Sequence, residues 1–124
     1  MTAAGPPPPD GPDLSGPYTV ADVRRWLTEV ERRAGVSLAE RRPVPGDAPV
    51  WRWPDLYVKD YQTRQYLKAW IWCEAHGESF AAVCRGREGW SVRTGARKAA
   101  WAMRVIAKGL NDGVDQPSRA SYHD

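Results

Sequence analysis

Residues 79–110 read SFAAVCRGREGWSVRTGARKAAWAMRVIAKGL, and this stretch decides the fold class. Ser79 is placed to cap a short helix that turns Phe80, Val83 and Cys84 inward and ends near Arg85. Gly86-Arg87-Glu88-Gly89-Trp90 reads as a tight connection, bracketed by glycines. Ser91 then caps a longer helix from Val92 to about Leu110. In that helix Val92, Ala96, Ala99, Met103, Ile106 and Leu110 recur at alternating steps of four and three residues, which predicts one continuous apolar seam. Arg93, Arg97, Arg104 and Lys108 are offset from the seam and share another face, with Trp101 interleaved among them. Asn111–Gly113 is expected to close the helix.

Working outward, Val20 to about Ala34 predicts another amphipathic helix. Val20, Val23, Trp26, Leu27 and Val30 form its stripe, and Arg24, Arg25, Glu31, Arg32 and Arg33 lie largely off it. Thr19 with Asp22 makes a capping box, and Gly35 supplies a stop. A third long helical segment lies between Leu56 and Glu74. Thr63 is its expected cap, and Tyr66, Leu67, Trp70, Ile71 and Cys73 face inward; Gly77 ends it. Trp72 points away from that face, towards the Trp-rich loop or a partner. Residues 37–54 contain Pro43, Pro45, Pro49 and Pro54, which predicts loop or extended chain. Its Trp51-Arg52-Trp53-Pro54 run is read as a lid folding back on the core, with an exposed base-stacking platform as the competing reading.

The expected architecture is therefore all-α, with about four helices. A Pro- and Gly-rich arm, residues 1–17, is too polar to bury anything and is expected to be disordered. The helical domain spans 18–111, and a flexible tail occupies 112–124. At 124 residues there is room for one domain. Two cysteines, Cys73 and Cys84, are too few for a disulfide scaffold, and the N-terminus has neither a basic n-region nor an apolar h-region. A cytoplasmic protein with reduced thiols follows as the expectation. No run is long enough to span a bilayer, and the small residues of the last helix suit helix packing better than insertion into lipid.

The net charge is only +3, but Arg85, Arg87, Arg93, Arg97, Lys98, Arg104 and Lys108 fall in one stretch opposed only by Glu88. A local basic block on ordered chain is the footprint expected for a polyanion. A short helix, a Gly-containing turn and a Ser-capped longer helix with Arg at its start make a helix-turn-helix candidate. In that reading Arg93, Thr94, Arg97 and Lys98 contact bases and backbone. Arg85, Arg87, Ser91, Arg104 and Lys108 contact phosphate, which sets affinity and register rather than sequence. The connection is longer than the three to four residues usual for the motif, and a plain helical hairpin with a solvated basic face is the competing reading.

The residues Tyr66-Leu67-Lys68-Ala69-Trp70, Ser79 through Arg85, Ser91-Val92-Arg93-Thr94 and Leu110-Asn111 resemble small helix-turn-helix proteins of alphaproteobacterial phages and prophages. Those proteins look like the DNA-binding region of a sigma factor or like a small terminase subunit. The resemblance covers about residues 19–111, and it implies double-stranded DNA binding, a regulatory or packaging role and a homo-oligomer. This chain departs from the pattern in its longer turn and in Gly95, which costs roughly 1 kcal/mol of helix propensity and leaves room for the backbone to come close to a partner.

Other chemistries find little to work with. Cys73, His76, Glu78 and Cys84 match no common zinc spacing, and neither phosphate-binding glycine motif is present. No nucleophile has a base placed beside it by local sequence, so no catalysis, metal, cofactor or small-molecule substrate is expected. The alternative function is a helical interaction or oligomerisation module without DNA binding, with Trp72 and Trp101 as interface anchors.

Overall fold

A computed structural model describes residues 17–35 and 41–115, and every structural statement below concerns those residues. They form α1 (Val20–Ala34), α2 (Ala48–Trp51), α3 (Trp53–Tyr57), α4 (Tyr61–His76), α5 (Phe80–Arg85) and α6 (Val92–Asp115), with no strand. The all-α expectation holds, with six helices rather than four. The expected disordered arm, except for its last residue, lies outside the described residues, as does the tail beyond 115.

The two additional helices come from the proline-rich segment. Pro49 and Pro54 each sit in a first helical turn, where the missing N–H has no intrahelical partner to lose. Proline here starts helices instead of forbidding them. Trp53 does fold onto the core, but from a helix and not from a loop; its ring packs 5.7 Å from Trp26 and 6.4 Å from Tyr18.

α1, α4 and α6 pack mutually. Their core joins Val23, Leu27 and Val30 of α1 to Leu67 and Ile71 of α4 and to Ala99, Ala102, Met103 and Ile106 of α6. Burying side chains of the Val/Leu/Ile class contributes roughly 1.5–3 kcal/mol each. The alanines allow α6 close approach to its neighbours. Thr19 and Asp22 form the capping box expected for α1, and Ser79 caps α5. The cap of α4 is Asp60, not Thr63. Its carboxylate accepts from the Thr63 N–H (2.9 Å) and hydroxyl (2.7 Å).

Three details of packing depart from the sequence pattern. Val92 is 39% exposed and Ala96 is exposed, so the buried face of α6 begins at Gly95 and not with them. A Cβ at Gly95 would lie 2.7 Å from Tyr66 Cδ1 and 2.8 Å from Phe80 Cζ, so the glycine permits contact with α4 and α5. Glu31 is only 5% exposed and pairs with Arg41 at 2.6 Å, whereas the stripe placed it outside; Arg41 also covers the Trp51 ring. Finally, α6 does not close at Asn111–Gly113. Asn111 lies within it and clasps the start of α1, accepting from Tyr18 N (2.6 Å) and donating to Tyr18 O (3.0 Å).

Candidate functional site

The outward surface of α6 follows from its inward one. With Gly95, Ala99, Ala102, Met103 and Ile106 buried, a period of 3.6 residues places Arg93, Arg97, Trp101, Arg104 and Lys108 in one stripe on the opposite side. The stripe spans roughly 22 Å along the axis. Its four cations are exposed, and Trp101 is 48% exposed. Thr94 and Lys98 flank it and are half-buried. The structure thus brings together Arg93, Arg97, Trp101, Arg104 and Lys108 as the sequence predicted.

None of Arg93, Arg97, Lys98 and Arg104 has a carboxylate within ion-pair distance among the described residues. Lys108 does, with Asp112 at 3.1 Å. Against the middle of the stripe lies an open groove of about 500 Å³, lined by Asp60, Thr63, Arg97, Lys98, Trp101 and Arg104. Asp60 is its one acid. Hydrogen bonds from the Thr63 hydroxyl and amide hold the Asp60 carboxyl below the usual carboxylate range, with a smaller contribution from the nearby Lys98 charge.

The α5–α6 connection is firmly built. Three consecutive turn hydrogen bonds, from Gly86 N to Ala82 O, Arg87 N to Cys84 O and Trp90 N to Arg87 O, carry the chain around. Gly89 supplies the positive φ of 82° that the last turn requires. Trp90 stacks on Tyr66 with centroids 4.1 Å apart, and the Arg87 guanidinium covers Trp90 at 4.4 Å. The Tyr66 hydroxyl accepts from Ser91 N at 3.2 Å, and Ser91 Oγ accepts from Thr94 N at 3.0 Å. Buried Tyr66 therefore touches the connection, the cap of α6 and Gly95 together. Sequence reasoning placed Tyr66 in the core and Trp90 in a turn but did not pair them. The signal was the run of aromatic and glycine positions at 66, 90 and 95, legible only with the helices in place.

Arg85, at the end of α5, and Arg87, in the connection, are exposed, and Ser91 is exposed at the cap of α6; Arg87 lies over Trp90 and is not part of the α6 stripe. Trp72 is not on this surface. It is half-buried beside His76 and lines a separate groove with Arg41, Lys68, Val83 and Arg87. Burial pushes the thiols of Cys73 and Cys84 up, away from the thiolate a metal or a nucleophilic reaction needs. No helix among the described residues is long and apolar enough to cross a membrane. No family model matches the chain, and neither a curated protein nor a solved structure matches it.

Proposed function

We propose that the chain binds double-stranded DNA through α6, with α5 and α6 acting as a helix-turn-helix. The observation that carries this reading is the stripe of cations on α6, of which Arg93, Arg97 and Arg104 have no carboxylate partner among the described residues. Phosphate neutralisation by such cations releases condensed counterions and supplies sequence-independent affinity. Arg93, Thr94, Arg97 and Lys98, near the N-terminal end of α6, are the set that reaches base edges and backbone. Arg85, Arg87, Ser91, Arg104 and Lys108 meet phosphates, with the Ser91 hydroxyl hydrogen free to donate while its oxygen caps the helix. The ordered connection and Tyr66 support this reading by fixing α6 relative to α5. A regulatory or DNA-packaging role in the cytoplasm, as a homo-oligomer and without catalysis, is the context that accommodates such a domain.

Binding to a labelled duplex across a salt series tests the proposal. If about five of these cations meet phosphate, log K falls against log salt with a slope of about −4.5. Absence of binding at low salt overturns it. The second reading, a protein-interaction module, is favoured by one observation, the half-exposed Trp101 on the same stripe. Light scattering on the same sample separates the two. A multimer that ignores DNA supports the module.

A further inference from the structure

We infer that the groove beside Trp101 holds one unpaired base of a bound DNA strand, with cytosine preferred over thymine; this rests on the DNA-binding reading above. Three features of the groove lead there. Its volume of about 500 Å³ is within the range of small-ligand sites, which accommodates a nucleotide. Its lining combines one half-exposed indole with Arg97, Lys98 and Arg104, the pairing of a stacking surface with backbone-tracking cations that unpaired strands use. And its single acid, Asp60, has one oxygen to spare. Both Thr63 hydrogen bonds arrive at Asp60 Oδ2, leaving Oδ1 as an acceptor.

The chemistry separates an unpaired base from a paired one. A base inside a duplex is already stacked on both faces, and its pairing edge is occupied. Trp101 offers it nothing. A bulged or gapped base has a free face for the indole and a free edge for a side chain, while its 5′ and 3′ phosphates lie within reach of cations. Stacking tolerates any base, so selectivity falls to Asp60. Cytosine carries an amino donor at the ring position where thymine carries a carbonyl acceptor. At that position an ionised carboxylate accepts from the amino group and repels the carbonyl, which leaves thymine only its ring N3–H as a donor.

The test uses the full chain and three labelled duplexes: one intact, one with a single unpaired cytidine, one with a single unpaired thymidine. Fluorescence anisotropy is expected to show the cytidine bulge binding roughly tenfold tighter than the intact duplex, and the thymidine bulge in between. Trp101→Ala, at an exposed position, is expected to bring the ratio of bulged to intact affinity close to one. Asp60→Asn keeps the helix cap, because asparagine caps as well as aspartate. Its amide oxygen stays on Thr63, which turns the amide nitrogen to the groove and abolishes the cytidine preference. Circular dichroism confirms that both variants are folded. Equal binding of intact and bulged duplexes by the parent overturns this inference and leaves the DNA reading standing. A bulge preference undiminished in Trp101→Ala also overturns it, and a parent indifferent to base, or a cytidine preference kept in Asp60→Asn, overturns the role of Asp60. Failure to bind any of the three removes the DNA reading itself.

Discussion

On α1, Arg24 reaches Glu74 at 3.1 Å, Arg25 reaches Asp22 at 3.3 Å, Arg32 pairs with Glu29, and Arg33 grips Asp47 at 2.8 Å. On α6, Arg93, Arg97, Lys98 and Arg104 have no such partner among the described residues. Both surfaces are rich in arginine, but their fields differ. Each exposed pair on α1 stabilises the fold by only about 0–1 kcal/mol, yet it cancels a charge that an external polyanion would otherwise feel. On α6 the spacing of Arg93 to Arg97, and of Arg104 to Lys108, places like charges four residues apart, which costs a helix roughly 0.2–0.5 kcal/mol per pair. A domain selected for stability alone gains nothing from that arrangement. Basic composition therefore says little about binding until the internal partners are known.

The largest effect should come from removing matched charges on the two faces. Arg93→Ala with Arg97→Ala is expected to weaken duplex binding by about 2 kcal/mol or more, roughly thirtyfold, with helicity intact. Arg25→Ala with Arg32→Ala removes the same formal charge and is expected to change affinity by no more than about twofold, since those cations are already neutralised. Equal losses from the two double variants, read by anisotropy, would mean that net charge matters and the face does not.

The next effect concerns how α6 is held. Gly95→Ala adds a methyl against Phe80 and against Tyr66, whose ring is buried and stacked on Trp90. Overpacking of this kind costs about 1–3 kcal/mol and outweighs the roughly 1 kcal/mol of helix propensity gained. Gly113→Ala, on the same helix with nothing within 4 Å, has only the gain. Urea unfolding should therefore move in opposite directions for the two. Stabilisation by Gly95→Ala would show that α6 does not seat against Tyr66 as described.

This also marks what the sequence could show. Thr19, Ser79, Ser91, Gly35 and Gly77 announced helix ends because caps and stops depend on a few neighbouring atoms. The cationic stripe was legible because its period is a property of one helix. Gly95 showed a propensity cost and room for a close neighbour, but not which one, since the ring that needs the space comes from Tyr66, far away in sequence. Asn111 looked like an ending for the same reason; its partner Tyr18 is at the other end of the domain. Pro49 and Pro54 misled because proline breaks a helix interior and begins a first turn, and only the flanking backbone distinguishes the two.

A smaller effect tests how the acid beside α6 is held. Asp60 is engaged by Thr63, which holds its carboxyl low. A depressed folded-state value means that its contribution to the α4 cap is present above the ordinary carboxylate range. That contribution is lost only as pH falls through the depressed value. Protection of the Thr63 amide against hydrogen exchange is expected to persist through the ordinary carboxylate range and to fail below it. Loss of protection within that range would show that the cap is weaker than its geometry.

The smallest effect falls on Lys108, which belongs to α6 by position and to the α1 pattern by pairing. It must release Asp112, at 3.1 Å, to meet a phosphate, and so surrenders part of what it gains. Lys108→Ala alone is expected to reduce the salt slope by less than one unit. Asp112→Asn frees the ammonium and should tighten duplex binding by about twofold while steepening the slope towards one further unit. In the Asp112→Asn background, Lys108→Ala should then remove that full unit. A cycle with no coupling between the two substitutions would put Lys108 beyond the DNA contact and end the interface near Arg104. A coupled cycle extends it along the last turns of the stripe, and shows that a single carboxylate four residues away is enough to move a cation from one class of surface to the other.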